Sequence, residues 1–507
     1  MKLTFPNAVL LTPALVAAGC SPHAAREPVR SIAPLPAVTV PASPKSRPPV
    51  AAVPPAVSAP ALAVPAPSRR HWAAPARGKS VIRVPHLVAS PPADFLRAAP
   101  GYRVTLAADG LTHPRTLAVA PNGDVFAVGS RTETPGKQPN RVVVYRETRG
   151  DGVLRERHVW ADNLYLPFGI AFAGGYLYVA NTDSVVRWRY QNGDREATDA
   201  PEKVIAGIPE RGMRQHWTRN ILFDRAENRM YLTIGSKENA DVEEPLRGTI
   251  VAYGMDGGKP TGAPGIVAGG MRNPVGLALH PRTGQLWAVV NERDYLGDDL
   301  VPDFLTHVTP NGFYGWPYYF IGTHHDPRLP ERPDLRAKTL TPDVLLGSHG
   351  APLGLVFAPD GRSAFVARHG SQNRSRMAGY DIVRVRFDAA GRPSPKYETF
   401  VSGWLPDPAR TSVYGRPVGL AWAKDGALLI ADDWGGRIWR VSHVGGRLQS
   451  GFGRSQVPLY FGRECAGWGV ICKREFTKVC CNDRQMVYPM GRCIKLKRPL
   501  MIGIPAP

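Results

Sequence analysis

One pattern recurs six times through the middle of the chain: "HPRTLAVAPNGDVFAVGS", "LPFGIAFAGGYLYVANT", "HWTRNILFDRAENRMYLTIGS", "RNPVGLALHPRTGQLWAVVNE", "APLGLVFAPDGRSAFVARHG" and "GRPVGLAWAKDGALLIADDW". Each copy is a short apolar strand, a turn rich in Gly, Asn or Asp, and a second apolar strand, which is the signature of a β-hairpin. Leu117, Ile170, Ile221, Leu277, Leu355 and Leu420 hold the same place in each, at gaps of 53, 51, 56, 78 and 65 residues. Further strands such as "RVVVYR", "SVVRWRY" and "DIVRVRF" follow most copies. Strand-rich units at this period cannot bury both faces alone and stack around an axis. The pattern therefore predicts an all-β, six-bladed β-propeller over residues 101–446. The early strand "YRVTLA" is expected to complete the last blade and close the ring.

The flanks read differently. Residues 1–20, "MKLTFPNAVLLTPALVAAGC", have one basic residue, a short apolar stretch and small residues before Cys20, as an export signal does. "VAAGC" resembles a bacterial lipoprotein cleavage site, which implies lipidation of Cys20 and a periplasmic, membrane-anchored protein; an ordinary cleaved signal is the alternative. Residues 21–100 are dominated by Pro and Ala and are expected to form an extended tether. The tail, residues 447–507, carries five of the six cysteines: Cys465, Cys472, Cys480, Cys481 and Cys493. In an exported protein that density reads as disulfides, but five cysteines cannot all pair within one chain.

Charge narrows the partners. The chain has 63 Lys and Arg against 42 Asp and Glu, a net charge of +21. Yet no run of five basic residues occurs, and aromatics do not interleave with the cations as single-strand binders require. A solvated basic surface, not a nucleic-acid face, is the expectation.

In a propeller blade the residues before the innermost strand and after the second share one rim of the channel. Reading those positions gives Arg115 with Arg131, Pro167 with Asn181 and Asp183, and His216 and Arg219 with Lys237. The later blades give Arg272 and Asn273 with an acidic loop, His349 with Arg368 and His369, and Arg416 with Asp432. The loop "NERDYLGDD" carries Glu292, Asp294, Asp298 and Asp299. Hard carboxylate oxygens with no Cys nearby suit a Ca²⁺-like ion, and the converging cations suit an organic anion beside it. The alternative is that the loop acids are solvated and pair with Arg293. His324 and His325 lie in an irregular insertion that could act as a lid.

The segments "HWTRNILFD", "GGMRNPVGLALHP", "NERDYLGDDLVPD", "GFYGWPYY", "HGAPLGLVF", "RHGSQNR" and "YGRPVGLAWAKDGALLIADD" resemble, in order and spacing, the bacterial quinoprotein sugar dehydrogenases. These propellers bind pyrroloquinoline quinone, and the sorbosone-type branch fits best. The resemblance implies His216 as general base. It implies Arg219, Asn220, Arg272, Asn273, Arg368 and Arg416 as cofactor contacts, and Glu292, Asp294, Asp298 and Asp299 as the calcium site. It also implies a sugar substrate and a separate electron acceptor. Gly235, Ser236 and Lys237 stand where soluble glucose dehydrogenase has an acidic loop residue, and that departure turns the expectation away from glucose. Two other readings stay open: a non-catalytic propeller that binds a ligand on the same rim, and a calcium-dependent lactonase.

Overall fold

Alternation of buried and exposed positions along short strands dictates sheets, and the computed structural model places them in six blades around one axis. It describes residues 81–130 and 140–444, with the backbone of 480–481 and 484–485. The chain divides into two units, Met1–Arg70 and His71–Pro507, and every described residue belongs to the second. Blades one to five span residues 114–161, 169–205, 221–269, 273–348 and 352–402. The sixth consists of Pro417–Trp422, Leu428–Asp432 and Arg437–His443, and its outer strand is Tyr102–Ala108, paired antiparallel with Arg437–His443. The six-bladed reading and the closing role of "YRVTLA" are both borne out.

Each seam between neighbouring blades holds one apolar cluster. Phe126, Trp160, Ile170 and Trp188 fill the first seam, and Tyr178, Ile221, Leu232 and Val251 the second. The third and fourth contain Tyr231 with Phe304, and Trp287 with Phe357. Phe365 with Trp439 fills the fifth, and Leu117 with Leu429 closes the ring at the sixth. No blade is two-sided in water, which is why the repeat appears as near-continuous apolar strands such as Leu286–Asn291, buried throughout.

The glycine of the recurring "GL" pair has a steric cause. A Cβ on Gly169 would stand 2.8 Å from the carbonyl oxygen of Arg219, and one on Gly276 would stand 2.7 Å from that of Leu353. Gly354 and Gly419 face Val418 and Arg115 in the same way. Innermost strands therefore touch backbone to backbone, and Phe168, Val275, Leu353 and Val418 plug the axis below the rim with Trp217 against them.

The expected tether boundary at residue 100 moves. Residues 81–100 lie on the propeller: His86–Leu87 pairs with Ser412–Val413, Arg97–Ala98 pairs with the end of the fifth blade, and Phe95 is buried against Trp439 and Tyr414. One aromatic inserted into the fifth seam anchors what its Pro-rich surroundings disguise. The signal, Cys20, the rest of the tether, Arg131 and the cysteine side chains of the tail lie outside the described residues.

Candidate functional site

His216 sits between a short 3₁₀ turn, Gly212–Arg214, and the innermost strand of the third blade, Ile221–Asp224, with its ring half-buried at the rim. Its Nδ1 lies 2.9 Å from both the carbonyl oxygen and the Oγ of Ser236. A carbonyl only accepts, so Nδ1 carries the proton and Nε2 presents a lone pair. The Ser236 hydroxyl spends its own hydrogen on the carbonyl of Glu238, at 2.7 Å, which leaves its oxygen free to accept. Burial and then the charge of Arg272 push the His216 imidazole down to about 3, so it is neutral across the physiological range. Behind it, the fully buried Arg219 donates to the carbonyls of His216 at 2.7 Å, Thr218 at 2.9 Å and Pro209 at 2.7 Å. This guanidinium fixes the main chain that carries His216.

Beside His216, Arg272 donates to the carbonyls of Asn239 and Glu292 and pairs with Asp294 at 3.2 Å. Asp294 also holds His349 Nδ1 at 3.0 Å, and His349 Nε2 reaches the carbonyl of Gly297 at 2.9 Å. Burial would raise the Asp294 carboxyl, but the His349 hydrogen bond and Arg272 outweigh it and leave it below the usual carboxylate range. Asp303, only 2% exposed, accepts the N–H groups of Glu292 and Ala351, and burial pushes it up to about 7. Asn273 completes this side: its Oδ1 is buried without a partner next to His216, and Gly235 leaves it room, since a Cβ there would strike both.

Across the rim a second polar knot centres on Asp433, 1% exposed. His113 lies 2.7 Å from one of its oxygens, and Arg115 and His369 lie 2.9 Å from the other. Burial alone would raise this carboxyl; Arg115, His113 and His369 together hold it far below the usual range. Arg416 donates to the carbonyls of His369 and Gly370 and lies over Trp434 and Tyr380. Among the described residues no carboxylate lies within ion-pair distance of it. A buried guanidinium held by carbonyls and aromatic faces keeps its charge uncompensated by a carboxylate among the described residues, which is the chemistry that suits a planar anion.

The described propeller matches the TrAA12-like family model over residues 96–302 and 334–444. The chain belongs to the TrAA12-like family. Its relatives include a Coprinopsis cinerea pyrroloquinoline quinone-dependent pyranose dehydrogenase, 24% identical over 417 residues; the match covers 70% of this chain but only 55% of that protein. A Hypocrea jecorina pyrroloquinoline quinone-dependent sugar dehydrogenase is also 24% identical, over 68% of this chain and 88% of that one. An uncharacterized protein of Borreliella burgdorferi is 28% identical over 67% of this chain and 93% of its own length. The fold is shared with the calcium structure of the Trichoderma reesei AA12 enzyme, at TM-score 0.60 and 21% identity over 69% of this chain and 97% of that one. It is shared as well with the holo form of the Coprinopsis cinerea pyranose dehydrogenase PQQ domain, at TM-score 0.58 and 21% identity over 71% and 100%. These relatives agree with the resemblance of the motifs to quinoprotein sugar dehydrogenases, while the sorbosone-type branch is not among the proteins named.

Within this TrAA12-like propeller the expected site residues divide. His216, Arg272, Asn273 and Asp294 gather at one side of the mouth and Arg416 stands on the other, whereas Arg219, expected as a cofactor contact, lies fully buried behind His216 with its guanidinium on three carbonyls. Asn220 turns away and donates to the carbonyl of Val275 at 2.9 Å, tying the third blade to the fourth. Arg368 is consumed inside the fifth blade, bound bidentately to Asp381 at 2.8 and 2.6 Å and to the carbonyl of Leu346.

The four acids of the TrAA12-like rim loop do not converge either. Glu292 pairs with the fully buried Arg293 at 2.9 Å, Asp298 takes the hydroxyl and N–H of Ser375, and Asp299 pairs with Arg374 at 3.0 Å. No group of three or more His, Cys, Asp and Glu suited to a metal occurs among the described residues. Each acid has an arginine or a serine closer than another acid, so pairing wins over clustering. Asp432, expected on the rim, is buried under the indoles of Trp404 and Trp439. The sequence reading missed Ser236, Asn239, Asp303, His113 and Asp433; for Asp433 the only signal was the doubled acid of "ADDW".

Proposed function

We propose that this protein oxidises a sugar with pyrroloquinoline quinone as the electron acceptor and His216 Nε2 as the base that takes the substrate hydroxyl proton. The observation that carries the proposal is the fixed tautomer of His216, whose Nδ1–H is held by Ser236 so that Nε2 is left unprotonated and without a hydrogen-bond partner among the described residues. The likeness to the Coprinopsis cinerea pyranose dehydrogenase and the Hypocrea jecorina sugar dehydrogenase supports the reaction class.

The residues fit a planar, carboxylate-rich cofactor. Arg416 offers a guanidinium without a carboxylate partner beside Trp434, and Asn273 Oδ1 and Arg219 Nε are buried polar atoms left unpaired. Calcium fits only in part, because Asp294 alone of the four expected acids stands at this mouth and the described residues form no carboxylate shell around it. When bound, pyrroloquinoline quinone accepts two electrons with the hydrogen leaving the substrate carbon, and Ca²⁺ polarises the accepting carbonyl.

This chain's own part is to bind, orient and move one proton. Arg219 fixes the backbone of His216, Ser236 fixes its ring, and burial together with the Arg272 charge keeps the ring neutral until the hydroxyl proton arrives. Asp294 links Arg272 to His349, so the positive charge created on His216 is met by a carboxylate already in place. Whether the natural substrate is sorbosone-like belongs to the same proposal, as does export with a lipid on Cys20.

The test is reconstitution of the purified chain with pyrroloquinoline quinone and Ca²⁺, followed by dye reduction with pyranoses and sorbosone. Cofactor binding with sugar-dependent dye reduction is expected. Absence of cofactor binding would overturn the proposal in favour of a ligand-binding propeller, and hydrolysis of lactones without the quinone would favour a lactonase.

A further inference from the structure

Tyr295 is the one aromatic side chain in the exposed class among the described residues, at 52%. Its ring makes no aromatic contact with another described ring, and its hydroxyl makes no hydrogen bond with a described residue. It follows Asp294 directly, and its φ of 74° lies in the left-handed region, which a bulky aromatic residue adopts only under strain.

Three separate loops hold it there. Asn373 of the fifth blade accepts the Tyr295 N–H at 3.0 Å. Asn239 of the third blade accepts the Asp294 N–H at 2.9 Å and donates to the Asp294 carbonyl at 3.0 Å. Arg328 of the insertion donates to that same carbonyl at 2.8 Å and is itself locked to Asp326. The insertion also packs Phe320 against Leu296, Leu300 and Val301, immediately after Tyr295 in the chain. Residues 303–333, which include Arg328 and Phe320, fall between the two stretches that match the family model. Met213 and Val242, on the loops flanking His216 and Ser236, add exposed apolar side chains to the same rim.

A strained, over-determined backbone that presents an unpacked aromatic ring beside an active-site mouth is costly for the fold and has no packing return. The opposite is expected of a ring that a ligand completes. We infer that Tyr295 is the outer stacking platform for a second sugar ring, so that the protein takes an oligosaccharide whose terminal unit reaches His216. The ring follows the Asp294 that closes the Arg272 and His349 network, but sits on its solvent side. It therefore meets the part of the substrate remote from the reacting carbon. This inference rests on the sugar-oxidation reading above.

The test compares glucose with cellobiose and maltose in the holoenzyme and its Tyr295→Ala and Tyr295→Phe variants. Tyr295→Ala raises KM for a disaccharide by roughly tenfold, the scale of one aromatic contact, with kcat and KM for the monosaccharide changed by less than about twofold. Tyr295→Phe keeps the disaccharide KM, since the ring and not the hydroxyl stacks. A second readout is free of turnover: saturation-transfer NMR on the His216→Ala protein marks the non-reducing ring of the disaccharide, and the additional Tyr295→Ala change removes that signal. Equal KM changes for mono- and disaccharides, no change for either, or a disaccharide signal indifferent to Tyr295 would each overturn the inference while leaving sugar oxidation intact. A wild-type holoenzyme that oxidises no sugar would instead remove the reading on which it rests.

Discussion

His216 and Asp433 are both deeply set rim groups, yet the chain treats them oppositely. His216 has one ring nitrogen fixed and the other without a hydrogen-bond partner among the described residues, whereas every oxygen of Asp433 is used by His113, Arg115 or His369. Replacement of His216 by Ala is therefore expected to lower kcat by about 100-fold or more while cofactor loading and melting temperature stay near the wild type. Near-native turnover in a fully loaded variant would remove the base from this residue. The pH behaviour follows from the same surroundings. With its imidazole at about 3 in the fold, His216 gives kcat/KM no inflection near 6.5, and the profile between about pH 5 and 7 is expected to be flat as far as this group sets it. His369 is likewise pushed down to about 3, by burial and Arg416. For both rings the unfolded chain takes up a proton near 6.5 that the fold refuses, so their contribution to stability is complete above about 6.5 and is lost as pH falls toward 3. Thermal melts of His369→Gln should show a shallower decline over that window; an unchanged slope would contradict the assignment.

Elements set what these residues can reach, and here the legible and the illegible parts of the sequence separate. The hairpin repeat was readable because period-two apolar strands, turn residues and the "GL" pair all report one backbone geometry. The glycine of that pair is dictated by contact between innermost strands, as Gly276 against Leu353 illustrates. Gly276→Ala, in which a methyl group must displace main chain, is expected to cost about 1–3 kcal/mol in chemical denaturation. A loss below about 0.5 kcal/mol would mean that the axis has slack. Side-chain direction at strand ends was less legible. In "ADDW" one step along the chain turns Asp432 into the blade beneath two indoles and Asp433 toward the mouth. In the acidic loop the composition suggested a metal shell, but the nearest counter-charges, Arg293 and Arg374, come from the loop itself and from the neighbouring blade. Such partners are set by three-dimensional placement, which spacing along the chain does not encode. The strap at 81–100 was hidden for a simpler reason: its attachment is two pairings of two residues each and one buried ring, Phe95, which are too short to make a pattern.

At the scale of the whole molecule, the six seams and the axial plug form one continuous apolar system with no free sheet face, so the ring stands or falls on its closure. That closure is a pairing of Tyr102–Ala108 with Arg437–His443, in which Tyr102 faces His443 and Val104 faces Val441. The beginning and end of the propeller are thus hydrogen-bonded neighbours although more than three hundred residues separate them in sequence. The order of blades along the gene is then a convention that the physics does not enforce. A circular permutant that joins residue 444 to residue 81 through a flexible linker, so that the strap at 81–100 is kept, and opens the chain at the exposed turn Gly174–Gly175 of the second blade, should fold to the same sheet content and bind the same cofactor. Failure of that permutant to fold would show that the order in which the blades emerge, and not only the contacts that they finally make, is part of what builds the ring.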